Sequence, residues 1–132
     1  MNTDSTFLTI VVQGLLLVGA VIGGLGGFTI LKRGARLFGA ADGGVDVSLD
    51  NVLRYLGGMY FGLGLLLLWA SITVYDHRGL IYVLAVVVAC AGLGRLLSRQ
   101  IAGRPPARYD RYMLTELALA AAIAIAQYFR MH

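Results

Sequence analysis

Residues 56–75 contain no charged side chain, and that restricts the fold more than any other feature of the sequence. A helix rising 1.5 Å per residue needs about 20 residues to cross a hydrocarbon core about 30 Å thick, and this stretch has that length. Extended back to residue 53 it forms one of four apolar runs; the others, 7–31, 80–97 and 112–129, contain only Arg95 and Glu116 as charged groups. Only 14% of the chain is charged and 58% is hydrophobic, against about 25% charged in ordinary soluble domains. The valines at 83 and 86–88 favour strands in water. In lipid a spanning segment must satisfy its own backbone, so helix is expected there too. The expected fold is all-α: one domain over residues 1–132, an integral membrane four-helix bundle running up-down-up-down.

Small residues recur along these helices and mark candidate packing seams. Gly19, Gly23 and Gly27 repeat every four residues, as do Gly58 and Gly62, then Cys90, Gly94 and Ser98, and finally Ala118, Ala122 and Ala126. Such spacing lets a neighbouring helix approach closely, which matters in lipid because burying apolar surface brings no gain there. Cys90 has no second cysteine to pair with and is expected to behave as a small buried hydrophobe. In the last helix Glu116 and Gln127 fall on one face to within about 20°, and that face is expected to point inward.

Basic residues set the expected orientation. Lys32, Arg33, Arg36, Arg54, Arg95, Arg99, Arg104, Arg108 and Arg111 fall in or beside the links after the first and third spans, whereas the opposite ends have only Arg78 and Arg130. By the positive-inside rule both longer links are cytoplasmic and both termini lie outside. The positive charge follows the first apolar run instead of preceding it, so a retained helix is expected there, not a cleaved leader. The link at 32–47 has turn glycines Gly39, Gly43 and Gly44 and acids Asp42 and Asp46. Ser48 or Asp50 is expected to cap the second helix.

With that topology Asp50, Asn51, Arg54, Tyr55, Arg95 and Glu116 share the cytoplasmic edge of the membrane. Ionisable groups inside a span face protein or water and find partners there. An ion-pair network of Arg54 and Arg95 with Asp50 and Glu116 is therefore expected. It can serve helix register, or it can hold an anion or lipid head group with help from two helix N-termini; a proton-linked role for Glu116 is a third possibility. No nucleophile with its base, paired-carboxylate site, phosphate loop or metal-ligand spacing accompanies these residues, so no catalytic residue, metal or cofactor is expected. The formal charge of +4 comes without a nucleic-acid motif. Anionic membrane lipids are the expected partners of the basic links.

The segments DNVLRYLGGMYFGLGLLLLW and GLGRLLSRQIAGRP, followed by a helix bearing Glu116, resemble the small bacterial four-helix membrane proteins of domain-of-unknown-function family 4345. The likeness covers residues 48–116 and falls on Asp50, Asn51, Arg54, Tyr55, Gly57, Gly58, Arg95, Ser98 and Glu116. It implies a four-span protein of the bacterial inner membrane and no known activity. The first expectation for function is a non-enzymatic structural or accessory subunit, packed against itself or within a larger membrane complex. The alternative is a binder or carrier of a lipid or amphipathic molecule whose anionic head is held by Arg54 and Arg95.

Overall fold

The computed structural model describes residues 3–39 and 44–132. Four helices follow in order: α1 (Thr3–Arg33), α2 (Val47–Ile72), α3 (Arg78–Ala102) and α4 (Ala107–Met131), with a short 3-10 helix, η1 (Gly34–Phe38), after α1. No strand occurs among the described residues. The shortest helices have 25 residues, about 37 Å at 1.5 Å per residue, which exceeds the thickness of the hydrocarbon core. All four are long and apolar enough to cross a membrane. Their outward faces carry Val21, Leu25, Val83, Val86 and Ile125, each more than half exposed. Water would not tolerate so continuous an apolar surface, and lipid suits it. The chain is a multi-pass membrane protein.

The helices outrun the apolar segments that announce them, except where backbone chemistry stops them. α3 continues to Ala102 and ends at Gly103, whose φ of +94° only glycine adopts easily. Pro106 then stands at the N-cap of α4 with φ −51°, ready for a helical turn, and its carbonyl accepts from Tyr109 N at 2.9 Å. α2 stops at Ile72, short of the expected Tyr75, because residues 73–76 form a turn closed by Asp76 N donating to Thr73 O. Its N-terminus differs as well. Asp46, rather than Ser48 or Asp50, caps it, its Oδ1 accepting from Ser48 N at 2.8 Å and Leu49 N at 3.3 Å. Asp42 and Gly43 lie outside the described residues.

The chain divides into two compact units. In Leu17–Trp69, α1 and α2 run antiparallel and meet backbone to backbone. A Cβ added at Gly27 would overlap the backbone of Phe61, one at Gly64 would overlap Gly24, and one at Gly23 would sit 3.2 Å from Gly64 Cα. Phe28 and Phe61 flank the contact with ring centroids 6.4 Å apart. The second unit comprises Met1–Leu16 and Ala70–His132. There α3 and α4 pack antiparallel through side chains: α3 buries Ile81, Leu84, Ala85 and Val88, α4 buries Met113, Leu119 and Ile123, and Leu117 fills the space over Gly92. Val12 and Leu16 of α1 are fully buried in the same unit.

Several expected seams are not the faces packed within the chain. In α2 the packed glycines are Gly57 and Gly64, whereas a Cβ at Gly58 would only reach Leu31 at 3.8 Å and Gly62 faces open space. In α3 the packed glycine is Gly92, while Cys90, Gly94 and Ser98 are exposed, so Cys90 is not the buried hydrophobe expected. In α4 Ala126 is buried, Ala122 is half-buried and Ala118 is exposed. A four-residue step turns a helix by about 400°, so each step carries the stripe about 40° past the last. Helices that pack along their length need an average repeat near 3.5, which alternates steps of three and four. Gly57 to Gly64 is such a seven-residue interval. Gly19, Gly23 and Gly27 are all buried.

Candidate functional site

The polar residues singled out in the sequence form two clusters, one in each unit. In the first, Gly34 ends α1 with φ +53° and turns the chain into η1. That turn leaves peptide groups without helical partners, and two residues of α2 supply them. Asp50 Oδ1 accepts from Ala35 N at 2.9 Å, and the Arg54 guanidinium donates to Leu31 O. Asp50 and Arg54, one helical turn apart, also bond to each other, Nε to Oδ2, at 2.7 Å. A Cβ at residue 34 would collide with Asp50 Oδ1, so the corner requires glycine both for its backbone angle and for the carboxylate. Arg54 and Asp50 are partly exposed, and Tyr55 and Asn51 are exposed beside them. Gly34 was not among the expected site residues. Its signal is a glycine directly after the basic end of an apolar run, the usual place of a helix C-terminus.

The second cluster joins α3 to α4. Arg95 grips Glu116 with both arms of its fork, Nε to Oε2 at 2.9 Å and Nη2 to Oε1 at 3.2 Å. Glu116 is 5% exposed, and the Arg95 guanidinium lies 5.8 Å from the centroid of the Tyr112 ring. A bidentate pair fixes angle as well as distance, so it sets the register of the two helices at that level. Nearer the link, Asp110 stands between two arginines: Arg104 Nε is 3.3 Å from Oδ2 and Arg99 Nε is 3.6 Å from Oδ1. The second distance is too long for a hydrogen bond and acts as charge attraction alone. Asp110 is not among the expected site residues. It follows the Gly103-Arg104-Pro105-Pro106 turn closely enough to fold back on Arg99 before the turn and Arg104 within it.

Asp50 thus meets Arg54 and Glu116 meets Arg95, as two pairs in separate units. Gln127, fully buried on the same stripe of α4 as Glu116, donates to Arg78 O at 3.1 Å, and Arg130 donates to Val74 O at 2.9 Å. The α2–α3 corner is therefore held by side chains in the way Asp50 and Arg54 hold the corner after α1. Among the described residues no three His, Cys, Asp or Glu side chains are grouped to share a metal ion. The arrangement can bind helix ends and fix register, and both of these arginine forks are already engaged by carboxylates.

A family model described as Domain of unknown function (DUF4345) matches residues 7–127, nearly the whole chain. No curated protein and no solved structure matches it.

Proposed function

The chain belongs to the DUF4345 family, and for this member we propose a non-enzymatic role as a packing subunit, assembled with its own copies or within a larger complex of the bacterial inner membrane. One observation carries the proposal. On α3, Cys90, Gly94 and Ser98 form a small-residue stripe left open by the chain's own packing, with nothing within 4 Å of a Cβ built at Gly94. Leu93, Leu97 and Ile101 stand exposed around it. A groove of this kind admits the backbone of another helix, where dispersion contacts and weak Cα–H···O bonds drive association in lipid.

The clusters at the helix ends support this reading because they serve architecture: they cap corners and lock register. Their arginines favour the lipid-carrier alternative less, since Arg54 already holds Asp50 and Arg95 already holds Glu116. A lipid phosphate would have to displace a carboxylate from either fork. Placement of both termini outside the cytoplasm accords with the concentration of basic residues near the two longer links.

Extraction in a mild uncharged detergent, followed by light scattering, tests the role. The native protein should travel as more than one chain, and Gly94→Leu should reduce it to one. Mild oxidation should link Cys90 to Cys90 of a second copy where the assembly is symmetric about α3. A lone monomer that brings down no other chain, together with unchanged mass for Gly94→Leu, would end the proposal.

A further inference from the structure

At the α2–α3 corner, Ser5 and Thr9 of α1, Tyr75 of the turn, Arg78 at the first position of α3 and Arg130 in the last turn of α4 line a cavity of about 220 Å³. All five belong to one unit. Its two cations are placed by structure rather than left loose. Arg130 donates one N–H to Val74 O at 2.9 Å, and the Arg78 backbone is held through its carbonyl by fully buried Gln127 at 3.1 Å. Arg54, Arg95, Arg99 and Arg104 each pair with an acid, yet among the described residues neither Arg78 nor Arg130 does. The start of α3 adds the positive end of its peptide dipoles on the same side.

Two guanidiniums facing one partly enclosed space repel each other, and an anion between them removes that cost. A planar fork matches the paired oxygens of a phosphate or carboxylate, and hydroxyls at Ser5 and Tyr75 supply further polar groups around it. The volume falls below the roughly 300–1,000 Å³ of pockets that enclose drug-sized ligands, so it suits a head group or a small free anion. We propose that this cavity is an anion site for phosphate or carboxylate oxygens, contacted by Arg78 and Arg130 and separate from the Arg54 and Arg95 clusters. Gln127 is a positioning residue: it places Arg78 through the backbone.

The full chain should be purified in an uncharged maltoside detergent and titrated with inorganic phosphate, with thermal unfolding as the readout. In parallel it should be placed in nanodiscs of phosphatidylglycerol or phosphatidylcholine and its retained lipid read by native mass spectrometry. Phosphate stabilisation in detergent identifies a free anion, and selective retention of phosphatidylglycerol alone identifies a lipid head group; either supports the site. Arg78→Gln keeps the backbone bond to Gln127 and should weaken binding about tenfold or more, as loss of a charge-assisted contact does. Arg130→Lys, which keeps a cation near Val74, should fall between it and the parent, and Arg108→Gln should bind as the parent does. Absence of binding by both probes overturns the proposal. So does a folded Arg78→Gln variant that binds as tightly as the parent.

Discussion

The α1–α2 contact and the α3–α4 contact solve one problem by opposite means. Helices in lipid gain little from hiding apolar surface, so they must gain from close approach or from polar bonds. Between residues 17 and 69 the chain relies on approach: Gly23, Gly27, Gly57 and Gly64 bring two backbones together without intervening side chains. Between α3 and α4 the packed glycine, Gly92, receives the Leu117 side chain, and an Arg95–Glu116 fork and the Asp110 bridge join the helices. Backbone contact cannot adjust to an added atom, whereas side-chain contact can repack. The first interface should be brittle and the second tolerant.

The largest effect should come from Gly27→Leu or Gly64→Leu, where the added atoms strike backbone: a loss of about 3 kcal/mol, the upper end for overpacking, read by unfolding in mixed detergent. Gly62→Leu, which faces open space, should cost far less, and equal losses at the two positions would erase the contrast. Glu116→Gln should cost about 2 kcal/mol, less than the 3–5 kcal/mol for breaking a fully buried pair, because the Arg95 side chain is 37% exposed and regains some solvation. Arg95→Ala in the same background should add less than it does alone, as a double-mutant cycle would measure. Gly34→Ala should cost about 1–2 kcal/mol from the left-handed backbone angle alone, and more while Asp50 is present. Pairing it with Asp50→Ala should therefore recover part of the loss. The smallest effect, about 1 kcal/mol, belongs to the N-cap change Asp46→Ala, visible as faster hydrogen exchange at Ser48 and Leu49.

The spans were legible because their signal is crude: long runs without charge admit one structure in lipid. The α1 glycines were legible because their positions remain on the buried face from Gly19 to Gly27. On the other helices fixed four-residue spacing does not follow the face packed within the chain, because each step rotates about 40° off it. Gly57, Gly64 and Gly92 each lie within two residues of an expected position, a displacement that turns the side-chain direction by about 100–200°. Asp50 with Arg54 was readable as a local pair on one helix, and Arg95 with Glu116 as the charged exceptions within two spans. What could not be read was their use of backbone partners. Leu31 O and Ala35 N become acceptor and donor only when Gly34 turns the chain out of its helix. Asp110 was hidden for a related reason, since its partners meet it only once the two prolines have reversed the chain.

That acid has a consequence for how the protein enters its membrane. During synthesis Arg99 and Arg104 emerge before Asp110, and the insertion machinery weighs basic residues while giving acids little weight. In the nascent chain the segment therefore counts as cationic. Once α3 and α4 close into a hairpin, Asp110 offsets one of those two positive charges internally. The same arginines become a clasp, and the folded protein keeps less attraction for anionic bilayers around that segment than its arginine count implies.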